Sequence, residues 1–271
     1  MRTEVNLVGE AFTHLTGGNK GYSVHGKVSK YIKWVTGYVG ESTFYIDNTI
    51  NQGLQDNVSK QKYAWLLESK YITPEIVNDV VSNHKKYTEN YDAIFTHNQK
   101  LLSLDDKFLF VPAQGFWIKE PKIYEKTKLV SMISSSKAMC EGHRYRLLWV
   151  ERLRNSLDLF GRGFNPLELK EEGLCDYMFS VAIENGSYET YFTEKILDCF
   201  ATGTIPIYHG SPDIGNYFNL DGMIILDDDF NVSKLRERLY YSKMEAIEDN
   251  LQRVKDLEVL EDYIYKEYFD E

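Results

Sequence analysis

Short apolar runs alternate along this chain with longer stretches in which apolar residues recur every three or four positions. Runs rich in β-branched and aromatic residues predict strands, and the longer spacing predicts amphipathic helices. The predicted strands cover residues 44–46, 63–67, 93–95, 108–111, 129–133, 157–160, 177–183, 204–208 and 223–226. The predicted helices cover residues 74–86, 144–154, 194–202 and 232–239. Strands that alternate with helices indicate βαβ units and mainly parallel sheets, which is an α/β fold.

Residues 112–128 interrupt this alternation, because they are polar and carry no regular apolar period. We therefore predict a boundary between two α/β halves here, with one domain at 1–112 and a second at 120–271. The tail at 249–271 is charged, but some of its apolar residues recur at helical spacing, which predicts a helix lying on the body of the protein. These residues are Leu257, Leu260, Ile264 and Tyr268.

Composition narrows the class of protein. The 271 residues are 43% hydrophobic, which is typical of a globular chain. The net charge of -10 disfavours a nucleic-acid binder, so an anionic ligand would need a local cluster of cations. No apolar run is long enough to span a bilayer, and the first fifteen residues lack the pattern of a signal peptide. A cytoplasmic location is the expectation.

The segment 177–212 carries the candidate chemistry. A buried strand ends at Glu184-Asn185, Thr193 is a candidate N-cap, and Gly203 is placed to end the following helix in a left-handed conformation. A helix N-terminus beside a strand end favours an anion, since free amides and the helix dipole meet there. Lys195 opposes the dipole in the first helical turn. A phosphate ligand would explain it, and so would an ion pair with a neighbouring glutamate.

This segment resembles the donor-binding motif of the α-1,3/4-fucosyltransferases, glycosyltransferase family 10. The matching positions occur in the family's order, strongly over 177–230 and more faintly over 127–160, and the N-terminal half matches in outline. Ile183, Gly186 and Met178 depart from the family's usual residues, and these departures bear on the sugar more than on the class. The matching positions are Glu184-Asn185, Tyr191, Thr193-Glu194-Lys195 and Ile205-Pro206-Ile207.

The resemblance implies two Rossmann-like domains facing a cleft, the GT-B arrangement. Residues 1–112 would bind a glycan acceptor, and 120–271 would bind a GDP-sugar donor. The implied reaction is inverting transfer of a sugar, fucose first, to a glycan hydroxyl. No cofactor is expected to be required, and a divalent cation could bind without being essential.

The resemblance also implies roles for residues of the donor half. Lys195 would contact the donor diphosphate and Glu194 the ribose hydroxyls. Asn185 and Tyr191 would lie near the phosphates and the transferred sugar.

Two further residues complete the predicted site. The family uses an arginine that opens the first helix of the donor domain, and Arg144 is the candidate here, with Arg146 as the alternate. Inverting transfer needs a base on the face opposite the departing phosphate. Glu68, which follows a predicted strand of the first half, is the candidate base, ahead of Glu41 and Glu75.

Two alternatives stay open. Asp227 and Asp229 follow a predicted strand and could hold a metal ion on the donor diphosphate of a metal-dependent transferase, although a solvated turn explains them as well. The chain could also be a non-catalytic module that binds a glycan or a nucleotide.

Overall fold

The computed structural model describes residues 2–9, 22–113 and 115–270. The chain divides into two compact units. Unit 1 consists of Met1–Gly115 with Glu258–Glu271, and unit 2 consists of Phe116–Leu257. The boundary therefore falls inside the polar stretch in which the sequence predicted it.

Unit 1 is built on a six-stranded parallel sheet with the strand order β2-β1-β3-β4-β5-β6. Strands of a parallel sheet are covered on both faces, so their sequences are nearly continuous apolar runs. The strands are β1 (Thr3–Val8), β2 (Ile32–Thr36), β3 (Ser42–Ile46), β4 (Gln61–Leu66), β5 (Ala93–Thr96) and β6 (Phe108–Phe110). The helices that follow them are α1 (Ile50–Gly53), α2 (Pro74–Ser82), α3 (His84–Thr88) and α4 (Gln99–Leu102).

The sequence predicted β3 to β6 but not β1 or β2. Strand β2 lies at the edge of the sheet, and only Ile32 of its five residues is buried. Strand β1 interleaves Val5 and Leu7 with the polar but buried Asn6, so its apolar run is broken. The predicted helix at 74–86 is divided into α2 and α3 at Asn83, where the backbone leaves the helical region.

Unit 2 is built on a five-stranded parallel sheet with the strand order β11-β10-β9-β7-β8. All five strands were predicted. They are β7 (Lys128–Ile133), β8 (Asp158–Phe160), β9 (Tyr177–Ile183), β10 (Ile205–His209) and β11 (Ile224–Ile225). The helices are α5 (Glu141–Leu153), α6 (Glu194–Ala201), α7 (Glu237–Tyr241) and α8 (Met244–Asp256).

Each sheet has one place where the strand order reverses. In unit 1 the reversal lies between β1 and β3, and in unit 2 it lies between β7 and β9. In open parallel sheets, ligands bind outside the carboxyl ends of the strands at such a reversal. The ends of β3 and β9 are therefore the places where chemistry is expected.

The predicted C-terminal helix exists, but two details of the prediction were wrong. The apolar spacing continues through Leu257, yet the backbone is extended there, so α8 ends and a separate helix α9 (Leu260–Tyr268) follows. Helix α9 also belongs to unit 1 rather than to the second domain, because Leu260 and Ile264 are buried in the core of the first sheet. Within the described residues, no helix combines the length and the apolar character that crossing a membrane requires.

Candidate active site

The candidate site of unit 2 lies where two helices begin at the reversal of the strand order. Helix α5 follows β7, and helix α6 follows β9. The start of α5 contacts the loop after β9 so closely that a Cβ atom placed on Gly142 would lie 2.3 Å from the carbonyl oxygen of Asn185. The absence of a side chain at Gly142 therefore lets the two functional segments meet.

Glu184, the first residue after β9, organises the start of α6. Its side chain is fully buried, with an exposed fraction of 0%. It accepts hydrogen bonds from the backbone N–H of Thr193 (2.8 Å) and from the Thr193 hydroxyl (2.7 Å). Thr193 holds the predicted N-cap position, but its hydroxyl serves Glu184 and makes no capping hydrogen bond to the helix. Gly203, with a φ of 68°, follows the helix in the left-handed region as predicted.

Two cations converge on Glu184. Lys195 Nζ lies 3.3 Å from a Glu184 carboxylate oxygen and 3.4 Å from Glu194 Oε1. Burial alone would lower the pKa of Lys195, but the Glu184 and Glu194 carboxylates raise it above its ordinary value. Arg146 is buried on α5 and donates to the carbonyl oxygen of Ile183 (3.2 Å).

Burial lowers the pKa of Arg146, and the nearby charge of Glu184 opposes that change. The positive charge of Arg146 in turn acts to lower the pKa of Lys195, which means that the two cations lie close together. Two like charges held side by side in a low-dielectric setting are costly unless an anion shares them. Glu184 supplies one negative charge, and a bound diphosphate would supply more.

The structure places the alternate arginine, not the preferred one, in this cluster. Arg144 is exposed on α5, whereas Arg146 is buried beside Glu184. The reason is that Arg146 lies on the buried face of α5, together with Val150 and Leu153. The geometry therefore favours the alternate Arg146, and which arginine contacts a diphosphate stays a prediction.

The two predicted neighbours of the phosphates and the sugar lie at the same edge of the sheet. The backbone of Asn185 contacts the start of α5, with its carbonyl oxygen 3.5 Å from the Cys140 Sγ. Tyr191 is buried and stacks on Tyr188, with ring centroids 4.7 Å apart. Tyr191 also lies near the Arg146 guanidinium.

Glu194, the predicted ribose ligand, belongs to a second ion-pair group that the sequence did not reveal. Lys170 Nζ lies 3.5 Å from Glu194 Oε1, 2.7 Å from Asp198 Oδ2 and 3.9 Å from the centroid of the Trp117 ring. Burial raises the pKa of Asp198 to about 6, and Lys170 opposes the rise. Glu194 and Asp198 are four residues apart on α6, so both carboxylates lie on one face of the helix, where Lys170 pairs with them.

Glu68, the predicted base, lies in unit 1 immediately beyond β4. Its side chain is exposed, and its own backbone N–H donates to Asp47 Oδ1 (3.1 Å). It is thus placed at the carboxyl edge of the first sheet, as predicted. Its role as a base stays a prediction.

The contacts of the acidic turn at 227–229 are those of a solvated turn, the second explanation that the sequence allowed. Asp227 Oδ1 accepts the backbone N–H of Asp229 (3.1 Å), and Asp228 pairs with Arg152 (3.2 Å). All three aspartates are exposed. Across residues 2–9, 22–113 and 115–270, no three His, Cys, Asp or Glu side chains form a group that could hold a metal ion.

Solved structures with a similar fold are known. A crystal structure of an α1,3-fucosyltransferase matches with a TM-score of 0.56 at 15% identity, covering 92% of this chain and 80% of that one. An α1,3-fucosyltransferase structure with GDP-fucose matches with a TM-score of 0.50 at 15% identity, covering 92% and 81%. Identity this low shows the fold alone. The fold is that of the GT-B glycosyltransferases, so the predicted fold class is confirmed.

Sequence comparison finds similarity to one family over part of the chain. Residues 123–253 match the family described as glycosyltransferase family 10 (fucosyltransferase) C-term. The α-(1,3)-fucosyltransferase FucT of Helicobacter pylori is 35% identical over 89 residues, which are 33% of this chain and 17% of that protein. The GDP-fucose protein O-fucosyltransferase 3 of Homo sapiens is 32% identical over 105 residues, 37% of this chain and 21% of that protein. The predicted resemblance to glycosyltransferase family 10 is confirmed over this segment.

The matched region is limited in extent. The aligned part spans about a fifth of the length of these curated relatives. The family match at 123–253 contains Glu184, Arg146 and Lys195, so the cation cluster lies inside the family segment.

Proposed function

We propose that this protein is an inverting fucosyltransferase that transfers fucose from GDP-fucose to a hydroxyl of a glycan acceptor. The observation that supports this most directly is the convergence of Arg146 and Lys195 on buried Glu184. This cluster lies at the strand-order reversal of unit 2, inside the segment that matches the fucosyltransferase family. The relatives named for GDP-fucose support the choice of donor.

In this proposal, unit 2 binds the donor. Lys195 and Arg146 contact the diphosphate, and Glu194 contacts the ribose hydroxyls. As the bond between the sugar's anomeric carbon and the β-phosphate oxygen breaks, the bonding electrons leave with GDP. Lys195 and Arg146 are already held in place by the fold before the reaction. They therefore stabilise the developing negative charge on GDP without having to reorganise during the step. This chemistry requires no metal ion.

Unit 1 supplies the acceptor side and the base. Glu68 accepts the proton of the acceptor hydroxyl while that oxygen forms its new bond to the anomeric carbon. Attack from the face opposite GDP inverts the configuration, as in inverting glycoside hydrolysis. The products are GDP, the fucosylated acceptor and a proton held on Glu68.

Donor binding is tested first, by the increase in melting temperature that GDP produces, because a ligand that binds only the folded state stabilises it. Lys195→Ala should weaken GDP binding by about 10–100-fold, the range expected for a lost hydrogen bond to a charged group. Lys234→Ala is the matched control, since Lys234 is exposed elsewhere in unit 2. Arg146→Lys should weaken binding, and Arg144→Ala should not. Equal affinities in all four variants would exclude the assigned donor site.

Transfer is tested with GDP-fucose and a panel of glycan acceptors. Glu68→Gln should abolish transfer and leave GDP binding intact, while Glu75→Gln, an exposed glutamate of the same unit, should behave as wild type. GDP binding without transfer to any acceptor would instead favour the non-catalytic module. Loss of all activity on chelation of divalent cations would favour the metal-dependent alternative. The cytoplasmic location is also a proposal, and cell fractionation tests it.

A further inference from the structure

Asp47 is a buried carboxylate at the strand-order reversal of unit 1. It directly follows β3, next to β1 and β4 in the sheet, and only 8% of its surface is exposed. Its φ is 43°, in the left-handed region that residues other than glycine seldom adopt. A residue held in this conformation at the carboxyl edge of a parallel sheet is a candidate for a functional constraint.

A single oxygen of Asp47 holds the turn that carries Glu68. Asp47 Oδ1 accepts the backbone N–H of Leu67 (2.9 Å) and the backbone N–H of Glu68 (3.1 Å). These are the first two residues after β4. Two hydrogen bonds from consecutive amides to one fixed oxygen determine where the chain turns, and hence where the Cα–Cβ bond of Glu68 points.

The groups around Asp47 couple its charge to Glu68. Burial raises the pKa of Asp47 to about 7, the two amides oppose the rise, and the nearby carboxylate of Glu68 adds to it. On the other side of the turn, His97 follows β5 and interacts with the backbone of Leu67 and Glu68. Burial lowers the pKa of His97 to about 4, and the charge of Lys70 acts in the same direction, so this imidazole is neutral at pH 7.

We propose that Asp47 is a positioning residue for the transfer reaction, which holds the backbone of the Glu68 turn so that the Glu68 carboxylate meets the acceptor hydroxyl. This inference rests on the proposed function, in which Glu68 is the base. Asp47 itself is buried and acts through the turn, without contact to the reacting atoms.

Two substitutions separate the hydrogen bonds of Asp47 from its charge. Asp47→Ala removes both, and kcat for transfer should fall by about 100-fold, because a small misplacement of a catalytic group can cost that much. GDP affinity should stay within twofold, since the donor cluster lies in unit 2. Asp47→Asn keeps an oxygen that can accept both amides, so it should retain most of the activity.

Asp92 offers a matched control. Its carboxylate accepts a hydrogen bond from the backbone N–H of Lys62 (2.7 Å), which lies near the start of β4, at the end opposite the Glu68 turn. Asp92→Ala should leave kcat within twofold of wild type. A folded Asp47→Ala variant with wild-type kcat, or an Asp92→Ala variant with the same loss, would overturn the inference.

If Asp47→Ala does not fold, Asp47→Gly decides, because glycine tolerates the φ of 43° and also removes both hydrogen bonds. A folded Asp47→Gly variant with wild-type kcat would overturn the inference. Failure of the proposed function itself gives a different result. In that case Glu68→Gln would retain transfer, whatever the Asp47 variants do.

Discussion

Replacing Glu184 with glutamine should destabilise unit 2, because the change removes the one buried carboxylate on which Arg146 and Lys195 converge. Glutamine has nearly the same shape, so the packing is preserved and the charge is the variable. Removing one partner of a buried ion pair leaves its counterpart uncompensated and costs about 3–5 kcal/mol. In a unit of this size, that loss lowers the melting temperature by about 10 °C.

The assay is calorimetry with and without GDP, with Glu189→Gln as the control. Glu189 is exposed on the same loop, and a surface change of this kind costs within about 0.5 kcal/mol. GDP should recover part of the loss in Glu184→Gln, since its diphosphate returns negative charge to the two cations. A Glu184→Gln variant as stable as Glu189→Gln would refute the account of the cluster. A variant that is destabilised but not rescued by GDP would refute its link to the donor.

Three further predictions concern positions elsewhere in the two units. Gly142→Ala should weaken GDP binding, measured by titration calorimetry, because its Cβ would lie 2.3 Å from the Asn185 carbonyl oxygen and push α5 from the site. Burial raises the pKa of Glu261 from 4.5 to about 7, so the folded state binds the proton more tightly than the unfolded state does. The free energy of unfolding should therefore fall by about 3 kcal/mol between pH 4.5 and pH 7. Urea titrations of Glu261→Gln should not show this fall. Lys170→Met removes the ion-pair partner of Asp198 and raises the pKa of Asp198 further. In urea denaturation, the free energy of unfolding of this variant should be about 2–3 kcal/mol below wild type at pH 8, and the difference should shrink at pH 5.

The strands were predictable where burial on both faces leaves an uninterrupted apolar run. Strand β9 is the clearest case, since all seven of its residues are buried. The turn and the helix that follow were predictable from local chemistry, because Thr193 and Gly203 have distinct backbone preferences. Strand β1 was not predicted, because the polar Asn6 interrupts its apolar run. Asn6 is buried only because β1 lies inside the sheet between β2 and β3.

The choice between the two arginines depended on a helix boundary. With α5 starting at Glu141, Arg146 shares the buried face with Val150 and Leu153 at spacings of four and three residues. That spacing is visible in the sequence, but the predicted start at residue 144 made Arg144 look like a first-turn residue. Helix ends are the least certain part of such a prediction, because fraying and capping compete within one or two residues.

The partners of site residues were the least predictable. Lys170 and Asp198 are 28 positions apart, and Asp47 precedes Glu68 by 21. Nothing local marks such pairs, because the sheet topology alone brings them together. Residue types at strand ends indicated where chemistry would occur, and the contacts that hold those residues came only with the fold.

The return of the chain to unit 1 after unit 2 has a consequence for biosynthesis. The final segment, Glu258–Glu271, supplies Leu260 and Ile264 to the first core, and the Tyr268 hydroxyl donates to the Phe110 carbonyl oxygen (2.6 Å). Unit 1 therefore cannot complete its core until Glu258–Glu271 has been translated, while unit 2, which is continuous in sequence, can complete its core earlier. A stop codon before α9 would leave unit 1 without part of its core and would spare unit 2.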